Sequence, residues 1–207
     1  MGTEPGREYI FGALSLRKLN PEEYKDIYEK HLKRDFPKNE LRPFHSMQRL
    51  FSQERYLAFG LYDSSGLCVY GSFITGIGGR PSYMDYFGVE PKKRQRGLGS
   101  LFLKLLPEVL DDDAVILEAE TVEGAADEAE RLLRRRRLDF YKRAGARITP
   151  ASGRVFGVDY SLLCLPLRRD LTDAEAFDGI LHIYKSTLPR FLFKRFIHYQ
   201  MSSSISP

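Results

Sequence analysis

The chain has 207 residues, enough for one ordinary domain or one domain with an appendage, since domains run to roughly 100–200 residues. With 43% hydrophobic and 29% charged residues it reads as neither an acidic disordered protein nor a membrane protein; its longest apolar runs, such as Ala114 to Leu117 and Leu162 to Leu165, fall far short of the roughly 20 residues of a membrane-spanning helix. The net charge of +4 admits nucleic acid, an acidic surface or a phosphorylated cofactor as partner, so its location decides among these.

At the N-terminus, Met1 to Arg7 carries no apolar stretch behind a basic start, and the expected location is the cytoplasm. Leu14 to Leu19 alternates as a strand does; Asn20 then caps and Pro21 opens a helix through about Arg34, with Glu22 and Glu23 in its first turn. A second helix follows Pro43, with Phe44, Met47, Leu50 and Phe51 at helical spacing. Tyr56 to Tyr62, Leu67 to Ile74 and Tyr83 to Val89 read as an antiparallel meander, broken by Asp63-Ser64-Ser65-Gly66 and by the glycine-rich stretch from Gly76 to Pro81. A helix from Gly97 to Leu110, a strand from Ala114 to Ala119, a charged helix from about Ala125 to Arg143 and a strand from Val155 to Leu165 follow. The fold class is α/β, with a mixed sheet of the α+β kind.

After Pro166, Thr172 is placed to cap a helix over Ala174 to Tyr184, and Pro189 leads into the aromatic and basic stretch Phe191 to Tyr199. This gives a body over residues 1–166 and a helical, aromatic-rich extension over 167–207, which must pack on the body or on a partner chain, a homodimer included, or line a substrate groove. No internal repeat is present, and low complexity is confined to Ser202, Ser203 and Ser204. Cys68 and Cys164 each sit in an apolar strand-like segment and read as buried free thiols; the histidines are isolated, and no metal is expected.

The sharpest feature runs from Tyr83 to Leu106: a strand, a turn at Pro91, a basic loop, and an amphipathic helix beginning at glycines. Gly97 and Gly99 let the backbone N–H groups of a first helical turn approach an anion, and the helix dipole adds partial positive charge there. Lys92, Lys93, Arg94 and Arg96 stand on the same segment against Glu90 alone. A Walker loop fails for want of Lys and Ser or Thr after the second glycine, and the dinucleotide pattern breaks at Phe102.

Arg94-Gln95-Arg96-Gly97-Leu98-Gly99 resembles the pyrophosphate loop of the GNAT N-acetyltransferase superfamily, including the preceding strand and the Pro91 turn. A second, distant match is Phe140-Tyr141-Lys142-Arg143-Ala144-Gly145, similar to the family's F-Y-x-x-x-G pattern, and the likeness spans roughly residues 12–165. The chain departs from the family where Thr121, Val122, Glu123 and Gly124 replace a common Asn, Ala and Tyr spacing, and where Ala146 replaces a usual Phe; these leave the acceptor subfamily open.

The resemblance implies acetyl-CoA as co-substrate, its pyrophosphate over Gln95, Arg96, Gly97, Leu98, Gly99 and Ser100 with Arg94 on the rim, and its pantetheine arm along Phe87, Gly88 and Val89. The Val89 N–H would face the thioester oxygen. The acceptor, a small-molecule or peptide amine, is mostly protonated near neutral pH and needs a base; Asp85 is favoured over Glu118 and Glu120, which share one strand face. Tyr141 is the candidate general acid for the leaving thiolate. The block Arg134-Arg135-Arg136-Arg137 follows Asp127, Glu128 and Glu130, so it reads as a solvated helix face with pairs such as Glu130 and Arg134 rather than as a nucleic-acid platform. A catalytically silent acyl-CoA-binding or partner-binding module of the same fold is the alternative.

Overall fold

The computed structural model describes residues 8–202; the stretch read for targeting, Met1 to Arg7, and the serines Ser203 and Ser204 lie outside the described residues. The chain divides into two units, one running up to Thr75 and resuming over Met84–Leu110, the other made of Gly76–Tyr83 and the chain from Asp111 onward.

The first unit opens on a hairpin of β1 (Glu8–Phe11) and β2 (Leu14–Lys18), turned at Gly12. The sequence reading begins only at β2, because β1 is a short edge strand with an exposed, weakly alternating pattern. From β1 and β2 the order continues through β3 (Tyr56–Asp63), β4 (Gly66–Ile74) and β5 (Ser82–Val89), with β2, β3 and β4 antiparallel. Helix α1 (Pro21–Ile27) starts at the expected Asn20: its Oδ1 accepts from the Glu23 N–H at 2.9 Å, and the Glu23 carboxylate accepts from the Asn20 N–H at 2.9 Å. The helix continues through a π-helical turn, Tyr28–Leu32, into α2 (Lys33–Asp35). Helix α3 (Phe44–Ser52) follows Pro43 as read, and a 3-10 turn at Pro91–Lys93 leads to α4 (Leu98–Val109). Tyr24, Leu32, Met47, Phe59, Phe73, Phe102 and Leu106 are fully or almost fully buried and form this unit's core, each such side chain contributing about 1.5–3 kcal/mol.

In the second unit, Ser82 and Tyr83 at the start of β5 pair in parallel with β6 (Ala114–Glu120), and the order runs on through β8 (Val158–Pro166), β7 (Arg147–Val155) and β9 (Ile197–Met201), all antiparallel. The single strand expected from Val155 is instead a hairpin of β7 and β8, reversed at Phe156 and Gly157, both at positive φ. Pro150, Ser152 and Gly153 mask β7 in the sequence, and the register shifts between Ile148 and Ser152. Helices α5 (Glu128–Arg143), α6 (Asp173–Thr187) and α7 (Arg190–Phe196) complete the unit. The segment after Pro166, read as helical, carries α6 and α7 but ends as a strand, β9, paired with β7; α6 packs on β6, β7, β8 and β9. Cys68 and Cys164 are buried free thiols. Helices combined with a mixed sheet give the α/β architecture expected.

Candidate active site

In the first unit, the end of β5 and the basic loop are tied together. The Glu90 N–H donates to Cys68 O on β4 at 2.9 Å, and because successive strand amides alternate in direction, the N–H and C=O of Val89 face away from β4. Arg94 Nε donates to that Val89 carbonyl at 3.1 Å, and its guanidinium lies 4.0 Å from Asp35. Phe87 packs against Phe102 of α4, and Gly88 accommodates the Tyr70 ring, which a Cβ would meet at 2.3 Å.

Gly97 is the N-cap of α4 with φ of 74°, a left-handed conformation that glycine adopts without penalty. No side chain caps the helix, and its first bond runs from Leu101 N–H to Gly97 O, so the N–H groups of Leu98, Gly99 and Ser100 have no acceptor within the helix. Gln95, Arg96 and Gly97 are exposed, with open space where a Gly97 Cβ would stand, whereas Gly99 is buried. A chain of oxygens with distributed negative charge fits such a cradle, and a pyrophosphate has that chemistry. Lys93, part of the same basic run, is ion-paired with Asp63 and bonded to Ser65.

The carboxylates read from the sequence have three different surroundings. Asp85 is held by Arg42, whose Nε and Nη2 each donate at 3.3 Å, and by Tyr56 at 2.8 Å; the side chains of Arg42 and Asp85 are only 11% and 6% exposed. Burial first, then the Asp85 charge, pushes the Tyr56 hydroxyl well above its ordinary pKa, so it remains a donor. Glu120, in the second unit, is ion-paired with Arg134 at 3.0 Å and with Arg137. Glu118 lies two residues earlier on the same face of β6 and accepts from phenols instead: Tyr83 at 2.5 Å, Tyr184 at 2.6 Å, and Tyr199. Tyr141 is 8% exposed, and burial pushes its pKa up to about 12 against a smaller opposing effect of Arg137.

The arginine block corrects the solvated-face expectation. Arg134 is buried at 9% exposure and bonds Glu120, Glu130 and the Thr121 carbonyl, because Glu120 at the end of β6 offers it a partner that helix spacing alone does not reveal. Arg137 joins it on Glu120, while Arg135 and Arg136 face solvent. Sequence reasoning also missed Arg42 and Tyr56 beside Asp85, and Tyr83, Tyr184 and Tyr199 around Glu118, all brought in across long separations. The only local signal was the aromatic richness of the last forty or so residues, which marks burial without naming a partner. Among the described residues no group of His, Cys, Asp and Glu side chains could hold a metal ion, and no helix is long and apolar enough to cross a membrane.

Among solved structures, the chain is similar to a putative acetyltransferase of the GNAT family from Bacteroides thetaiotaomicron, with a TM-score of 0.64 and 18% identity over 84% of this chain and 99% of that one. It is also similar to the ribosomal-protein-S18-alanine N-acetyltransferase from Escherichia coli (TM-score 0.52, 17% identity, 74% and 94% covered). A third similar structure is the spermidine N-acetyltransferase from Vibrio cholerae in complex with CoA and spermine (TM-score 0.52, 13% identity, 77% and 98% covered). No family model matches the sequence, and no curated protein matches it. At these identities the likeness is one of fold.

Proposed function

We propose that this chain, whose fold is that of the GNAT N-acetyltransferases, transfers an acetyl group from acetyl-CoA to a primary amine by direct attack in a ternary complex. The observation that carries the reading is the uncapped start of α4 behind the left-handed Gly97, with Arg94 and Arg96 on the same loop. The Leu98, Gly99 and Ser100 amides would bind the pyrophosphate together with Gln95 and the two arginines, and Phe87, Gly88 and Val89 would offer backbone groups to the pantetheine arm. The chemistry supplied on binding is that of a thioester, whose C–S bond breaks as a C–N bond to the amine forms.

The residues of the chain have three tasks in this reading. The Val89 N–H, turned away from β4, is the donor for charge developing on the thioester oxygen. A carboxylate takes a proton from the acceptor, which as an ordinary alkylammonium has a pKa of about 10.4. Of the three carboxylates we assign this to Glu118, because accepting a proton would break the Arg42 pair of Asp85 or the arginine pairs of Glu120. Tyr141 is the hydrogen-bond donor to the leaving sulfur. The spermine-bound neighbour supports an amine as acceptor, and a cytoplasmic location belongs to the same proposal.

The test is isothermal titration with CoA. Wild-type protein is expected to bind at micromolar concentrations, and Gly97→Glu to lose binding, because a carboxylate then enters the cradle and a non-glycine residue is forced to positive φ. Equal binding by the variant would sink the reading.

A further inference from the structure

We infer that the C-terminal segment completes the acceptor site: Tyr184 of α6 and Tyr199 of β9, together with Tyr83 of β5, form a phenol cradle that orients the Glu118 carboxylate to bind an alkylammonium ion and take its proton. The inference rests on the acetyltransferase reading and deepens it by naming the acceptor class, a primary alkylamine that is cationic at neutral pH.

Three hydroxyls converge on one carboxylate from three separate elements: Tyr83 at 2.5 Å and Tyr184 at 2.6 Å on Oε2, and Tyr199 on Oε1. The rings line up around it, Tyr83 and Tyr184 with centroids 6.2 Å apart, Tyr184 and Tyr199 6.3 Å apart at 33°. The backbone is shaped for the last of them. Tyr199 pairs across the sheet with Gly153, and a Cβ on that residue would come within 2.5 Å of the Tyr199 ring, so only glycine lets the ring lie where it reaches Glu118. Tyr83 and Tyr184 are buried, whereas Glu118 keeps part of its surface exposed.

O–H donors stabilise the ionised carboxylate, and neighbouring aromatic faces favour a cation, so the arrangement selects a positively charged group. Burial and the Glu118 charge raise the Tyr199 pKa well above its ordinary value, which keeps that hydroxyl a donor. In the step itself an N–H bond of the ammonium breaks with its electron pair left on nitrogen. The proton passes to a Glu118 oxygen, and solvent water removes it between turnovers. Tyr184 and Tyr199 are therefore positioning residues, acting through Glu118.

The experiment titrates the full chain calorimetrically with n-butylammonium and with spermidine, n-butanol serving as uncharged control, and separately with CoA. The ammonium probes are expected to bind the wild type and butanol not to. Tyr184→Phe and Tyr199→Phe should weaken ammonium binding about 3- to 10-fold each, Glu118→Gln should abolish it and Glu118→Asp should restore part of it. CoA affinity should stay at the wild-type value throughout, which also reports that each variant is folded. In turnover, Tyr199→Phe should raise the KM for amine and lower kcat with the KM for acetyl-CoA unchanged; a cluster that merely fastened β9 would lower Tm and leave the amine KM alone. Ammonium binding that is absent from the wild type, matched by butanol, or unchanged in Glu118→Gln overturns the inference. Should Glu118→Gln fail to fold, unchanged affinity in Tyr199→Phe overturns it instead. Failure of the wild type to bind CoA would overturn the acetyltransferase reading, a result independent of the ammonium titration.

Discussion

Tyr141 illustrates how burial alters a role read from a motif. A phenol at about 12 is protonated at any working pH, yet a CoA thiolate, whose thiol resembles a cysteine near 8.5, is too weak a base to take that proton outright; complete transfer would be about 5 kcal/mol uphill. In the proposed reaction Tyr141 would therefore act by hydrogen-bonding the leaving sulfur, with the net proton coming from the acetylated nitrogen. Tyr141→Phe should lower kcat about 10- to 100-fold with CoA affinity intact, and the wild-type rate should show no descending limb from this phenol below about pH 11, as stopped-time thiol release would read. Asp85 is the opposite case. Its strand position suggested the base, but it is buried against Arg42, and removing one member of a buried pair costs about 3–5 kcal/mol because the other charge is left uncompensated. Asp85→Asn should therefore appear first as a fall in Tm by thermal melting, which separates a fold-holding ion pair from a catalytic one.

At the scale of elements, acid pH should weaken α6. Its capping box joins Thr172 and Glu175, and the Arg169 guanidinium, followed by the Thr172 backbone and hydroxyl, holds the Glu175 pKa down at about 2 from an ordinary 4.5. A depressed carboxylate contributes stability that is complete above the unfolded value and is lost as pH falls through the folded one, so the window runs from about pH 4.5 to 2. Glu175→Gln should melt below the wild type at pH 7, with the gap in Tm closing toward pH 2; a gap independent of pH would contradict the assignment. Both N-caps, Asn20 and Thr172, were legible because the signal is local; that Glu23 and Glu175 close each cap into a box is visible only in the structure. The loop from Arg94 to Ser100 was legible for the same reason. β7 was not, since Pro150, Ser152 and Gly153 dilute its strand character, and Gly153 is explained only by the Tyr199 ring that covers it. Nor was β9, because Phe191, Leu192, Phe193 and Phe196 extend a helical pattern up to the Ile197 at which it starts. The partners of Asp85 and Glu118 lie 29 to 81 positions away, and no periodicity in the sequence carries pairings of that range.

For the whole molecule, the +4 charge is less available than its count suggests. Arg134 and Arg137 are taken up by glutamates, Lys93 by Asp63, and Arg169 by Asp113 and Glu175, whereas Arg96 remains exposed beside the start of α4. The proposed phosphorylated co-substrate needs only one such local cluster of cations, whereas a nucleic-acid surface would need a continuous exposed stripe. The proposed reaction is the acetylation of a cationic amine. It is tested most directly by incubating the full chain with acetyl-CoA and a panel of polyamines, aminoglycosides, amino acids and peptides while following release of the CoA thiol. Thiol release should depend on a primary amine and fall about 100-fold or more in Glu118→Gln. Tight CoA binding with no amine-dependent thiol release across the panel would contradict it.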